Sequence, residues 1–400
     1  MAIFCTTSFA QAEGCNGSRY LAGGVFDQVA VSTVTYGENQ NSAGTNLILE
    51  MDIYEPVGDT VDKRPVIILA HGGSFIFGAR EDLEDAATEY ARMGYVAVSI
   101  TYRLFPFGQL GIPNATELID QVVQAVGDMR GAVRFMRADA AGNNVYKIDP
   151  NNIFVGGISA GAITAMHLAQ LDEEDEVSDI VQAAIDANGG LEGTTGIMGF
   201  SSEVSAVVNL SGGLHDRNYI DEDDVPFISF HGDSDGTVPF LSGLAVNIVN
   251  IDGSGTCNPR ADEVGIDNFL VTAVDGDHVD IYTEPQWEDD RINFTINGNL
   301  FLHDILCPFT VNVENELFEK EITAYPNPSA DQITIDLGTI ESMYDVVVYD
   351  RVGKVVFKSF GQNDPQFILQ KEQIGAGFFV AEIRVMEDGI QSITRKIIFE

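Results

Sequence analysis

The sequence predicts an α/β fold, a sheet with helices on both faces, followed by a small C-terminal all-β sandwich. Three observations carry that reading. Short apolar runs alternate with helix-spaced stretches as far as Cys307, the pattern of a parallel sheet covered by its crossover helices. One of these runs, Phe154–Thr164 ("FVGGISAGAIT"), passes straight into Gly-Gly, then a serine among small residues, then a helical stretch. Beyond Cys307 the helical periodicity stops, and short strands recur with turn residues between them.

The elements follow in order. Thr45–Tyr54 partly alternates apolar and polar residues, as a half-buried strand does. Pro65–Ala70 ("PVIILA") is the continuous apolar run that a central parallel strand needs. A helical stretch over Glu81–Met93 leads to the strand Tyr95–Tyr102. A long helix is predicted over Glu117–Ala138, where Val122, Val123, Val126, Met129, Val133 and Met136 approximate helical spacing. Asn152–Gly157 is the next strand, and the helix after Ser159 runs to about Leu171. Buried strands are predicted at Ala206–Leu210, Pro226–His231 and Phe269–Val274, and a last helix at Asn299–Leu306. The long, Gly-rich residues 172–204 read either as an insert or small lid over the sheet's C-terminal edge or as a plain surface excursion. In residues 322–400 the strands are "QITIDL", "DVVVYD", "KVVFKSF", "FFVAEIRV" and "SITRKIIF".

Length and composition bound the function. Four hundred residues suffice for two domains. The expected division is a signal peptide over residues 1–12, a catalytic domain over 13–308, a linker over 309–321 and the sandwich over 322–400. With 21 basic against 61 acidic residues the net charge is −40, which argues against nucleic acid and anionic membranes as partners. The acid runs Asp172–Glu176 and Asp221–Asp224 read as solvated surface, since they lack the ligand spacing of a calcium loop. No run of 18 apolar residues suggests a membrane span. Ala10-Gln11-Ala12 fits a secretory cleavage site, although the basic region that should precede it is missing. Of four cysteines, Cys5 would leave with the signal. Cys257 and Cys307 are candidates to pair, closing a ring of about 50 residues worth roughly 4 kcal/mol on the chain-entropy model. Cys15 is then left over. No C-x-x-C pattern occurs, and no metal or cofactor is implied.

The Gly-x-Ser-x-Gly turn at Ser159 reads as a nucleophile elbow. A serine nucleophile needs a base, an acid to orient that base and donors for the oxyanion. His71-Gly72-Gly73-Ser74-Phe75 follows the "PVIILA" strand, where small residues let backbone N–H groups face a carbonyl. The acid belongs to His231–Pro239 ("HGDSDGTVP"), at a strand's C-terminal end, with Asp233 and Asp235 as candidates. Six histidines offer a base. His71 and His231 belong to the loops just named, His167 lies in the helix after the serine, and His215 precedes the acid. His303 sits in an apolar helix, so His278, in the loop "DGDH" after a strand, is the favoured base.

"HGGSF", Tyr102–Leu104 ("YRL") and "GISAG" together resemble the α/β-hydrolase superfamily on its carboxylesterase and hormone-sensitive-lipase-like side, over roughly residues 20–307. The resemblance implies that the N–H groups of Gly73, Ser74 and Ala160 form the oxyanion hole. It matches the acid to Asp235 and leaves Asp233 as a turn-former. Ser74 departs from the family's usual third glycine. Phe75, Phe77, Phe105 and Phe107 are candidates to line the substrate pocket. The implied activity is a secreted serine carboxylesterase that needs no cofactor, with small or polymeric esters as substrates. Feruloyl or acetyl-xylan esterase and polyester hydrolase are alternatives, and serine peptidase or a non-catalytic surface binder are more distant ones.

Ile322–Leu337 ("ITAYPNPSADQITIDL"), Val348–Val356, Gly375–Ile383 and the terminal "KIIF" resemble the C-terminal sorting domain of the type IX secretion system. That implies the secretion machinery as a partner, export through the outer membrane, and cleavage of the tail or anchoring at the cell surface. A carbohydrate-binding or adhesive sandwich is the alternative.

Overall fold

Parallel strands buried on both faces need continuous apolar runs, and the runs of this chain form such a sheet. The computed structural model describes residues 14–15, 19–307, 322–338, 342–349, 355–386 and 390–399. It falls into two compact units built on Arg19–Pro308 and Phe309–Glu400. The strands of the first unit are β1 (Val29–Gln40), β2 (Asn46–Pro56), β3 (Arg64–Ala70), β4 (Val96–Ile100), β5 (Ile148–Ile158), β6 (Ala206–Leu210), β7 (Gly213–Leu214), β8 (Phe227–Gly232), β9 (Ser242–Ala245), β10 (Val249–Gly253) and β11 (Asn268–Ala273). Eight of them form one sheet in the order β1-β2-β4-β3-β5-β6-β8-β11. The pairs β1–β2 and β2–β4 are antiparallel, and every pair from β4 to β11 is parallel. β3 and β4 are buried throughout. A small sheet, β7-β10-β9, stands apart.

The helices are α1 (Glu84–Met93), α2 (Phe107–Leu110), α3 (Ala115–Ala141), α4 (Ala160–Gln170), α5 (Asp179–Ala187), α6 (Ser254–Val264), α7 (Asp280–Thr283) and α8 (Glu288–Leu306). α3 starts in a capping box. Asn114 accepts the Glu117 N–H at 3.1 Å, and the Glu117 carboxylate accepts the Asn114 N–H at 2.9 Å. α4 is buried on nearly every side, which is why its sequence is apolar almost throughout.

The stretch 172–204 contains a helix, α5, and its Gly-rich part is fastened to α3. The buried Arg134 donates to the carbonyls of Ile197, Glu192 and Thr195 and to the Glu192 carboxylate. Arg130 reaches Glu192 at 3.1 Å and Ser202 at 2.8 Å. Backbones meet closely here: a Cβ on Gly193 would lie 2.8 Å from the Gly127 Cα. This segment is a fixed wall against α3.

Two cysteine expectations change. Cys257 is a free, buried thiol in α6 whose S–H donates to the Asp252 carbonyl at 3.1 Å. Cys15 and Cys307 are both disulfide-bonded. Cys257 is packed among the core residues beneath the small sheet, so it is not available to Cys307.

Among the described residues the second unit is all-β apart from a one-turn helix. Its strands are β12 (Thr323–Tyr325), β13 (Gln332–Asp336), β14 (Tyr344–Tyr349), β15 (Val355–Gln362), β16 (Gln366–Gln370), β17 (Gly377–Met386) and β18 (Ile390–Phe399), with α9 (Lys371–Ile374) after β16. Two antiparallel sheets, β12-β13-β16 and β15-β14-β17-β18, share one core. Ile333, Ile335 and Leu369 from one sheet join Val346, Val348, Ile383 and Ile397 from the other. The signal peptide and linker expected from the sequence lie outside the described residues.

Candidate active site

Ser159 stands between the end of β5 and the first residue of α4, with φ 56° and ψ −118°. A non-glycine residue in that region is strained, and such strain collects at functional turns. The flanking glycines let the turn close against β3. A Cβ on Gly161 would lie 1.9 Å from the Ala70 carbonyl oxygen, and one on Gly157 would lie 2.4 Å from the same atom. Gly-x-Ser-x-Gly is therefore a packing requirement as well as a motif.

Three loops at the C-terminal ends of parallel strands converge on this serine. Ser159 Oγ lies 2.8 Å from His278 Nε2, and His278 Nδ1 lies 2.6 Å from Asp235 Oδ2. The second oxygen of Asp235 accepts the N–H groups of Thr237 and Val238, each at 2.8 Å. Burial opposes ionisation of Asp235. Hydrogen bonds from His231, His278 and the Val238 N–H outweigh it and hold the carboxyl well below the usual range. Asp233 faces elsewhere and accepts the Asp275 N–H at 2.7 Å, tying the acid loop to the loop after β11.

Two further residues hold this network together: His231, which the sequence assigns to the acid loop, and Asp277, which it did not single out. The fully buried His231 lies with Nε2 3.2 Å from Asp235 Oδ2 and 3.0 Å from the Val238 carbonyl, while its Nδ1 meets Ser254 Oγ at 2.9 Å. Asp277 Oδ1 accepts both the His278 N–H at 2.7 Å and the Gly236 N–H at 2.9 Å. It thereby joins the loop that carries the histidine to the loop that carries the acid. The short His231-Gly-x-x-Asp235 spacing signals the first of these contacts; the second depends on two loops distant in sequence.

The loop after β3 is also strained. Gly73, Ser74 and Phe75 have φ of 107°, 54° and 62°. Tyr102 braces it, donating its hydroxyl to the His71 carbonyl at 2.9 Å and stacking on the His71 ring at 4.4 Å. Burial lowers the pKa of His71. Ser74, Ser159 and Ala160 line one cavity. Ala160 is the first residue of α4, so its N–H has no partner within the helix.

That cavity measures about 930 Å³ with its open side included. Its walls are mostly aliphatic and come chiefly from α3, α4, α5 and the β9–β10 hairpin. Of the phenylalanines expected there, only Phe75 lines it. Phe105 is buried and its N–H donates to the Phe75 carbonyl, while Phe77 and Phe107 are 64% and 42% exposed and pair with each other.

Comparison with known proteins agrees with this architecture. Residues 51–215 match the BD-FAE family model. The solved structure of a thermophilic esterase from the Planctomycetes species Thermogutta terrifontis, with propionate bound, superposes with a TM-score of 0.50 at 18% identity, over 70% of this chain and 96% of that one. The larger unit has the α/β-hydrolase fold. Among curated relatives of this unit, the para-nitrobenzyl esterase of Bacillus subtilis is 31% identical over 143 residues, 35% of this chain and 27% of that one. Esterase-5B of Drosophila persimilis is 30% identical over 148 residues, 37% and 25% of the two chains. The chain thus spans about a quarter of the length of these relatives. Residues 323–400 match the secretion system C-terminal sorting domain, so the chain carries a type IX tail that marks it for export to the cell surface or beyond. No described helix is long and apolar enough to cross a membrane.

Proposed function

We propose that the hydrolase unit is an exported serine carboxylesterase. The observation that carries this reading is the hydrogen-bonded line from Ser159 through His278 to Asp235, built on a strained serine. In this reading Ser159 Oγ attacks the ester carbonyl and passes its proton to His278 Nε2. His278 then protonates the leaving alcohol, and water releases the acyl group from Ser159 by the same route. Asp235 stays ionised, fixes the tautomer with Nδ1–H and steadies the imidazolium. The N–H groups of Gly73, Ser74 and Ala160 hold the oxyanion, a task that requires donors fixed before the reaction begins. The esterase names of the relatives and the match to the BD-FAE model support an ester over a peptide as substrate. The substrate class spans small esters and ester-bearing polymers met outside the cell, and the secretion machinery is the partner of the tail.

Hydrolysis of p-nitrophenyl esters by the full chain and by Ser159→Ala tests the reading. The expected result is turnover that falls by on the order of 10⁴-fold or more in the variant. Equal rates from the two proteins would refute it. Feruloyl, acetyl-xylan and polyester substrates then separate the narrower assignments.

A further inference from the structure

Ser159, Ile163, His167 and Leu171 recur every fourth residue along α4, and all four line the cavity. At 1.5 Å rise per residue the cavity follows the helix for roughly 18 Å from the serine, and roughly 12 Å separates Ser159 from His167. Leu118, Val122 and Val126 of α3 run alongside at the same spacing. Val181 and Ile185 of α5, from the fastened 172–204 segment, line the cavity too. An acetyl group would fill only the first turn of this channel.

The channel offers little polar recognition along its length. His167 is neutral, its pKa lowered by burial to about 4. Both of its nitrogens are occupied: Nδ1–H donates to the Ile163 carbonyl at 2.8 Å, and Nε2 accepts the His215 N–H at 3.0 Å. His215, Tyr219 and Asn250 gather at the level of His167. The walls between them and Ser159 are aliphatic.

We propose that this site takes esters of unbranched aliphatic acids of about hexanoyl to octanoyl length, with the chain laid along α4 between α3 and α5. The proposal rests on the esterase reading above. Each methylene moved from water into such walls raises kcat/KM by roughly fourfold until the chain reaches His167. Val123 of α3 and Ile185 of α5 are both among the residues that line this channel.

The test measures kcat/KM of the full chain on p-nitrophenyl acetate, butyrate, hexanoate, octanoate and cinnamate, beside Val123→Trp, Ile185→Ala and Ser159→Ala. The wild-type values should climb from acetate to hexanoate or octanoate and exceed that for cinnamate. Val123→Trp should cut the octanoate-to-acetate ratio at least tenfold. Ile185→Ala, which only removes bulk, should move the optimum to a longer chain, and it decides the matter if the tryptophan variant does not fold. Acetate or cinnamate as the best wild-type substrate overturns the proposal and leaves the esterase reading standing, as does an unchanged chain-length profile in the variants. No ester cleaved faster than by Ser159→Ala removes both.

Discussion

Three strained residues, Ser74, Phe75 and Ser159, come from two different loops, and all three line the same cavity as Ala160. Positive φ at a non-glycine residue persists only when the surroundings fix it. For the loop after β3 the fixing group is Tyr102, whose hydroxyl is buried on the His71 carbonyl. Tyr102→Phe removes that bond, worth about 1 kcal/mol, without opening a cavity. If the loop's N–H groups hold the oxyanion as proposed, steady-state kinetics should show kcat falling several-fold with KM little changed; an unchanged kcat would show that Tyr102 does not position them. The motif residues were legible because they answer to local constraints. Gly157 and Gly161 must be glycine to pass the Ala70 carbonyl, and Asp235 stands at a fixed distance after His231. Asp277 was not, since its Gly236 partner is set by how two separate loops meet.

Among the elements, the apolar strands β3, β4, β6 and β8 announced themselves through continuous burial. β1 did not, because it is an edge strand that exposes most of its residues. The β9–β10 hairpin is built of two strands of four and five residues, too short to show a period. α6 carries Pro259 and a polar sequence, and the first half of α8 is polar, so neither has an apolar stripe to read. The acid runs of the sequence became two turns. The Asp175 carboxylate accepts the Asp172 N–H at 3.0 Å, and the Asp224 carboxylate accepts the Asp221 N–H at 2.9 Å. Burial, reinforced by the neighbouring aspartates, pushes Asp224 up to about 8 and Asp175 to about 6. With folded pKa values above the ordinary 3.8, the folded chain binds more protons than the unfolded chain between about pH 4 and 8. Stability therefore falls as pH rises through that window. Asp224→Asn should raise the melting temperature at pH 8 and leave it nearly unchanged at pH 4. A variant that melts lower than the parent at pH 8 would contradict the assignment.

At the scale of the whole molecule, a net charge of −40 accompanies a sorting tail, and both suit a protein that works outside the cell. High like charge favours solubility at some cost to the compact state. The alternation of strands and helices, and its abrupt end at Cys307, made the two-part architecture visible in the sequence. The aliphatic channel was not visible, because its walls come from α3, α4, α5 and a hairpin that are far apart along the chain. The central claim is that Ser159 forms the acyl-enzyme. Its most direct test is to acid-quench the full chain during turnover of p-nitrophenyl butyrate and map the adduct by peptide mass spectrometry. A butyryl group on the peptide that holds Ser159, absent from Ser159→Ala, is the predicted result. Turnover with the adduct on another residue, or turnover that persists in Ser159→Ala, would contradict it.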